Sequence, residues 1–287
     1  MFKLSSLFNY IFFSFALGAA TVHAECSSET LGVSRLMTIN NANGTAVGLQ
    51  TYPQTLGLAD HEVVLTFDDG PAAPTTDVLN ALAKECVRAT FFMIGRNASE
   101  MPALVKRAVK DGHSIAHHSY SHPTRTLRLM DEASAKADID KGIAAVDQAA
   151  GGGGPTTPFF RFPGFADTAV LKDWMISRGY TIFGSDVWAS DWKQMTPKEE
   201  LELTLSRLEK IGKGIILFHD SKLQTAQMLP EFLHELKLRG YHIVHIVSGP
   251  SETPLTQADA NWSSTTEPII EKTLGAHNSG SKQKETH

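Results

Sequence analysis

The hydrophobic pattern changes character at Glu62. Residues 25–61 are polar, rich in Asn, Thr and Gly, with weak periodicity, and read as an irregular leader or a short hairpin packed on a core. From there, apolar runs of strand length alternate with helical stripes. Residues 63–67 read as a buried strand, and 76–84 as a helix with Val78, Leu79 and Leu82 on one face. Residues 89–94 form a second strand. Ser99 caps a helix carrying Met101, Leu104, Val105 and Ala108, which Gly112 ends. A short strand at 114–117 precedes a long helix over 131–149, broken by the glycines at 151–154. Strands follow at 159–162, near 181–183, at 214–218 and at 242–247, separated by helices over 168–178, 197–211 and 225–239. Thr196 and Pro197 mark one helix start. Residues 249–287 are rich in Ser, Thr, Glu and Lys, and are expected to be a disordered tail.

Repeating β-α units imply an α/β protein with a parallel sheet, open or closed, within a single catalytic domain over 62–248. In such folds polar functional groups gather at the carboxyl ends of the strands. Asp68 and Asp69 end the first strand, His118 and His122 follow the third, and Arg161 ends the fourth. Asp191 and Trp192 follow a later strand, and His219 and Asp220 end the penultimate one. The candidate residues therefore share one rim.

The 287 residues carry a formal net charge of −5, and no basic stripe is visible, which argues against a nucleic-acid partner. Lys3, the apolar run over 7–20 and the small residues flanking His23 read as an export signal over 1–24. The run is short for a span, which needs about 20 residues, so no stable membrane anchor is expected after cleavage. The chain is expected to be exported, periplasmic or secreted. Cys26 and Cys86 could pair there, or Cys86 could be a buried thiol. Two cysteines are too few for a cysteine-based zinc site.

Two candidate sites carry chemistry. In Thr66-Phe67-Asp68-Asp69-Gly70-Pro71, adjacent carboxylates close a strand, and the turn can aim one at a cation and the other at water. In His118-Ser-Tyr-Ser-His122 the imidazoles stand at i and i+4, the spacing of one face of a helical turn. Two histidines with one carboxylate form a three-ligand set with an open position, the pattern of catalytic zinc; the set also suits Co, Ni or Fe. His113 and His117 are not expected to be ligands.

These segments, with Arg161-Phe-Pro-Gly, Asp191-Trp192 and Leu217-Phe-His219, resemble in order the five motifs of the polysaccharide deacetylases, the carbohydrate esterase family four or NodB homology domain. The resemblance covers about 62–247 and implies a distorted (β/α) barrel of about seven parallel strands. It implies metal-dependent removal of N-acetyl groups from amino-sugar glycans such as chitin oligomers, peptidoglycan or exopolysaccharide. It suggests Asp69, His118 and His122 as metal ligands, Asp68 as general base and His219 as general acid. Arg161 is expected to pair with Asp68 and keep it ionised, and Asp191 to hold His219 protonated. Leu217 and Trp192 would wall a pocket for the acetyl methyl. The third motif departs from its usual Arg-Pro-Pro-Tyr: Gly164 stands where Tyr supplies a backbone N–H to the oxyanion, and a backbone donor survives that change. Asp186 and Trp188 compete for the fourth-motif roles, and Asp191 is preferred because Trp192 follows it directly. Two other readings keep the fold: hydrolysis of O-acetyl esters or non-glycan amides, and a catalytically silent glycan-binding protein.

Overall fold

The computed structural model describes Cys26 and residues 29–42, 44–124, 126–153 and 156–282. The expected export signal lies outside the described residues. Strand β4 (Glu62–Asp68) is the centre of the fold and is buried along its whole length. It pairs in parallel with β10 (Gly214–His219) from Val63 to Asp68, and with β5 (Thr90–Met93) at its carboxyl end. The sheet continues in parallel from β5 to β6 (Ser114–His117), β7 (Thr156–Phe160), β8 (Thr181–Phe183) and the short β2 (Ala46–Val47). On the other flank β9 (Val187–Trp188) joins β10, and β11 (His242–Ser248) joins β4 and β1 (Arg35–Ile39). The result is the α/β architecture with a parallel sheet expected from the alternating pattern, in the barrel-like form that the family resemblance implied.

Both faces of the central strands are covered, so their sequences are nearly continuous apolar runs. Alternation still sorts the side chains. Val63, Leu65 and Phe67 pack outward with Ile216, Phe218 and the helices α1 (Thr75–Lys84) and α7 (Leu223–Leu238). Val64, Ile215 and Phe92 pack inward with Phe159, Phe183 and Ile246. The period of two then carries Thr66 and Asp68 to the inner face with Val64, and Leu217 and His219 with Ile215. Register sets His219 opposite Asp68.

Helix ends follow the local chemistry. In α6 (Pro197–Ile211) Thr196 forms a reciprocal capping box with Glu199, and Gly212 closes the other end at φ 79°. Asp131 caps α4 (Glu132–Ala150) by accepting from Ser134 N. Ser99 does not cap a helix: it lies inside α2 (Gly95–Glu100), its hydroxyl donating to Gly95 O, and α3 (Pro102–Lys110) starts separately at Pro102. Proline at the first position starts a helix without a side-chain cap. The segment α5 (Ala169–Ser177) is capped by Thr168.

The two flanking segments are more ordered than their composition suggested. The leader contributes β1, β2 and β3 (Gln54–Leu56), and Cys26 is disulfide-bonded to Cys86. The expected disordered tail instead holds β12 (Leu255–Gln257), antiparallel to β3, and α8 (Thr266–Lys282). Its order comes from partners distant in sequence. Trp262 Nε1 donates to Leu49 O at 2.8 Å, and Arg128 grips Glu267 through two hydrogen bonds of 2.6 and 2.9 Å. Among the described residues no helix is long and apolar enough to cross a membrane.

Candidate active site

Asp68 is the last residue of β4, and Asp69 follows at φ 71°, a left-handed conformation rare outside glycine. That reversal lets neighbouring carboxylates serve one site from different directions. Gly70 is required next, because a Cβ there would lie 2.0 Å from Asp220 Oδ2. Asn97 Nδ2 donates to Asp69 O at 2.9 Å and pins the turn.

His118 and His122 converge without a helix. Ser119 and His122 have φ of 61° and 45°, and the loop is folded by its own hydrogen bonds. Ser119 Oγ accepts from His122 N at 3.1 Å, and Asp138 Oδ1 accepts from the backbones of Tyr120 and Ser121. The i,i+4 spacing therefore works here through a looped chain, not a helical face. Gly142 of α4 makes room, since a Cβ there would come within 2.3 Å of Ser119 C.

Asp69 Oδ1 lies 3.5 Å from His118 Nε2 and 3.4 Å from His122 Nε2, and all three donor atoms fall within 4.8 Å of one another. Asp69 Oδ1 is buried with no hydrogen-bond partner. His118 Nδ1–H donates to Arg161 O at 2.7 Å, which leaves the Nε2 lone pair aimed inward. Burial, then the charge of His122, push the His118 pKa down to about 3, so the ring is neutral. Ligand atoms about 2.1 Å from a tetrahedral cation are about 3.4 Å from one another. The spacing, the orphaned carboxylate oxygen and the neutral imidazole fit a divalent cation.

Asp68 points past this trio into the barrel. Its Oδ1 accepts from Arg161 Nη1 at 2.6 Å, and its Oδ2 is 3.9 Å from His118 Nε2. Arg161 is fully buried: Nη1 also donates to Thr66 Oγ1, Nη2 to Gly184 O and Nε to Phe183 O, and the guanidinium lies 4.2 Å over the Phe92 ring. Burial raises the Asp68 pKa from its usual value, and Arg161 pulls it back without cancelling the rise. Arg161 lowers it as expected, but desolvation outweighs the ion pair and the net direction is upward.

His219, at the end of β10, faces the same space, with Nε2 3.9 Å from Asp69 Oδ2. Its Nδ1–H donates to Asp191 Oδ1 at 2.7 Å, and its backbone N–H to Asp191 Oδ2 at 2.6 Å. Burial is the largest single influence and opposes charge on His219, but Asp191, with the charges of Asp69 and Asp68 behind it, outweighs burial and raises the pKa to about 9. Thr225 Oγ1 bridges Asp191 Oδ2 and Glu200 Oε1 at 2.8 and 2.9 Å. Burial, then the charge of Asp191, push Glu200 up to about 8. Thr225 has one hydrogen to give, so a protonated Glu200 allows both hydrogen bonds. Glu200 and Thr225 carry no motif in the sequence and are visible only in three dimensions.

The competing carboxylate, Asp186, is structural: it accepts from Leu49 N, Ile215 N and Thr55 Oγ1. Trp188 is not excluded in the same way. It stands 5.8 Å from Trp192 edge-on and 6.1 Å from Phe165 in a stack, and Trp192 stands edge-on to His219. The cleft has a volume of about 300 Å³ and is lined by the two carboxylates, His118, His122, His219 and the expected Leu217, Trp192 and Gly164. Phe162, Phe165, Trp188 and three residues of α8 complete it. A larger hollow, about 780 Å³, lies beside the disulfide and contains none of these side chains.

The sequence pattern of the polysaccharide deacetylase family matches residues 57–183. A peptidoglycan-N-acetylglucosamine deacetylase of Bacillus cereus is 30% identical over 198 residues, covering 67% of this chain and 72% of the relative. A bifunctional xylanase/deacetylase of Pseudobutyrivibrio xylanivorans is 31% identical over 229 residues, and there the match covers 79% of this chain but only 36% of the relative. Among solved structures, a peptidoglycan deacetylase of Bdellovibrio bacteriovorus superposes with a TM-score of 0.67 at 29% identity, covering 84% of this chain and 64% of that one.

Proposed function

The chain belongs to the polysaccharide deacetylase family, and from that premise we propose that it removes N-acetyl groups from amino-sugar glycans and releases acetate. The observation that carries the proposal is the meeting of Asp69, His118 and His122 donor atoms within 4.8 Å beside the Asp68 carboxylate, whose Oδ1 is held by Arg161. In this reading those three residues hold a divalent cation, zinc by the donor set. When bound, the cation supplies a Lewis acid that acidifies water and polarises the amide carbonyl.

The side chains divide the remaining work. Asp68 accepts the proton of the attacking water, and Arg161 fixes its orientation in a site that would otherwise favour the neutral acid. His219, charged below about pH 9, gives a proton to the sugar nitrogen as the C–N bond breaks, so a free amine departs. Asp191 orients the imidazole and stabilises its charge. Leu217 and Trp192 enclose the acetyl methyl, and the Gly164 backbone N–H at the rim serves the developing oxyanion.

The protein is proposed to work outside the cytoplasm, in the periplasm or secreted. The Cys26–Cys86 disulfide supports an oxidising compartment, as does the export signal read over 1–24. In this division the catalytic core is 62–248, with α8 completing its cleft. The likeness to a bifunctional xylanase/deacetylase makes O-acetylated xylan the second substrate to try.

The test is acetate release from N-acetylglucosamine oligomers, peptidoglycan and acetylated xylan, with and without a chelator. Release from an amino sugar that stops on chelation and returns with zinc is expected. Asp68→Ala should lose turnover yet keep metal. Release only from xylan would replace the amide reading with the ester one. Metal binding without release from any substrate would favour a silent glycan-binding protein.

A further inference from the structure

We infer that the C-terminal segment forms a fixed cap, with α8 closing part of the catalytic cleft, so that the site takes a glycan end or a short oligomer and not the interior of a long chain. The inference rests on the deacetylase reading for the identity of the glycan, but not for the cap itself. Thr266, Ile269 and Ile270 line the cleft that holds Asp68 and Asp69. Ile270 and Thr266 are buried, whereas Ile269 is 52% exposed although it borders the site. An exposed isoleucine at the mouth of a cleft whose other walls are Phe162, Phe165, Trp188 and Trp192 is well placed to meet the apolar face of a ligand. The cleft volume of about 300 Å³ is at the bottom of the roughly 300–1,000 Å³ range of small-molecule sites, little for a continuous run of sugars.

The cap is anchored on two sides. Toward the leader, Gly57 N donates to Pro254 O, Ala258 N to Pro53 O, and the backbones of Thr265 and Thr266 to Gln50 O. The leader is fixed to the barrel in turn, since Asp186 accepts from Leu49 N and its carbonyl from Gln50 Nε2. On the other side Arg128 holds Glu267 and donates through Nε to Asp167 O at 2.7 Å. Tyr52 of the leader donates to Asp167 Oδ2, so the two anchors meet. A wall fixed in this way selects by steric exclusion, which a flexible tail could not do.

Two variants open the cap: Ile269→Ala trims the wall, and Arg128→Gln releases its anchor. The ratio of kcat/KM on a long soluble N-acetylglucosamine polymer to that on a short oligomer should rise about tenfold or more in both, the scale a pocket wall can enforce. Circular dichroism confirms that each variant is folded. Calorimetry in the Asp68→Asn background, where turnover is absent, gives an independent readout. With Ile269 intact, affinity for N-acetylglucosamine oligomers should stop rising after a short length; with Ile269→Ala it should continue to rise. Affinity that climbs with length while Ile269 is present, or ratios unmoved by both variants, would overturn the cap. A plateau abolished by Ile269→Ala, without acetate release by the Asp68-containing protein, would keep the cap and reject the deacetylase reading.

Discussion

Replacing Arg161 by Met should destabilise the protein in a way that depends strongly on pH. The side chains of Arg161 and Asp68 are 0% and 4% exposed, and their atoms are 2.6 Å apart. Removing one partner of such a pair leaves a buried charge and costs about 3–5 kcal/mol. Met retains much of the volume but none of the four hydrogen bonds to Asp68, Thr66, Phe183 and Gly184. The Asp68 pKa is already above its usual value, and without Arg161 burial would raise it further. An acid raised on folding binds a proton that the unfolded chain has released. Its contribution is therefore intact below the ordinary carboxylate pKa of about 3.9 and is lost as pH rises toward the folded value. The deficit of Arg161→Met should be smallest near about pH 4 and grow toward neutrality, by about 1.4 kcal/mol for each further unit of pKa rise. Urea unfolding of chelated protein across this range measures it. On an Asp68→Asn background the same substitution should cost less, because no charge is left stranded. Arg161→Lys should not rescue, since one ammonium cannot reach all four oxygens. A deficit constant with pH, and undiminished when Asp68 is Asn, would refute the reasoning.

Asp191→Asn should move the alkaline limb of kcat down from about pH 9, because Asp191 is the leading group among those that raise His219 against the pull of burial; the acid form is lost as pH rises through that value, and a limb unmoved in the variant would assign it to another group. Reducing the Cys26–Cys86 bond, which spans a sequence separation of 60, should lower stability by about 4 kcal/mol on loop-closure entropy, read by urea unfolding with and without reductant. Cys86→Ser should show a similar loss with catalysis at low temperature preserved, since the cysteines line a hollow apart from the cleft.

The central strands could be read from sequence because their signals are local. The run ending at Asp68 and the Thr196-Pro197 start of α6 contain their own causes. The carboxyl ends of successive strands bring Asp68, His118, Arg161, Asp191 and His219 to one rim, and those side chains share one cleft or directly support it. The route from His118 to His122 was not visible, because it depends on two left-handed residues and on Asp138 of a later helix. The Thr225–Glu200 extension behind Asp191 was hidden for the same reason. The cap was lost to composition: Thr266–Lys282 is mostly polar, and its order comes from atoms such as Leu49 O and Arg128 Nη1, 213 and 139 residues away from their partners. Periodicity cannot report such contacts.

The most direct test of the proposed centre is a crystal of zinc-loaded protein and its anomalous difference map. One peak is expected, shared by a carboxylate oxygen of Asp69 and the Nε2 atoms of His118 and His122, at about 2.0–2.2 Å from each, with Asp68 unbonded beside it. Zinc bound elsewhere, or a peak ligated by Asp68 with Asp69 turned away, would contradict it.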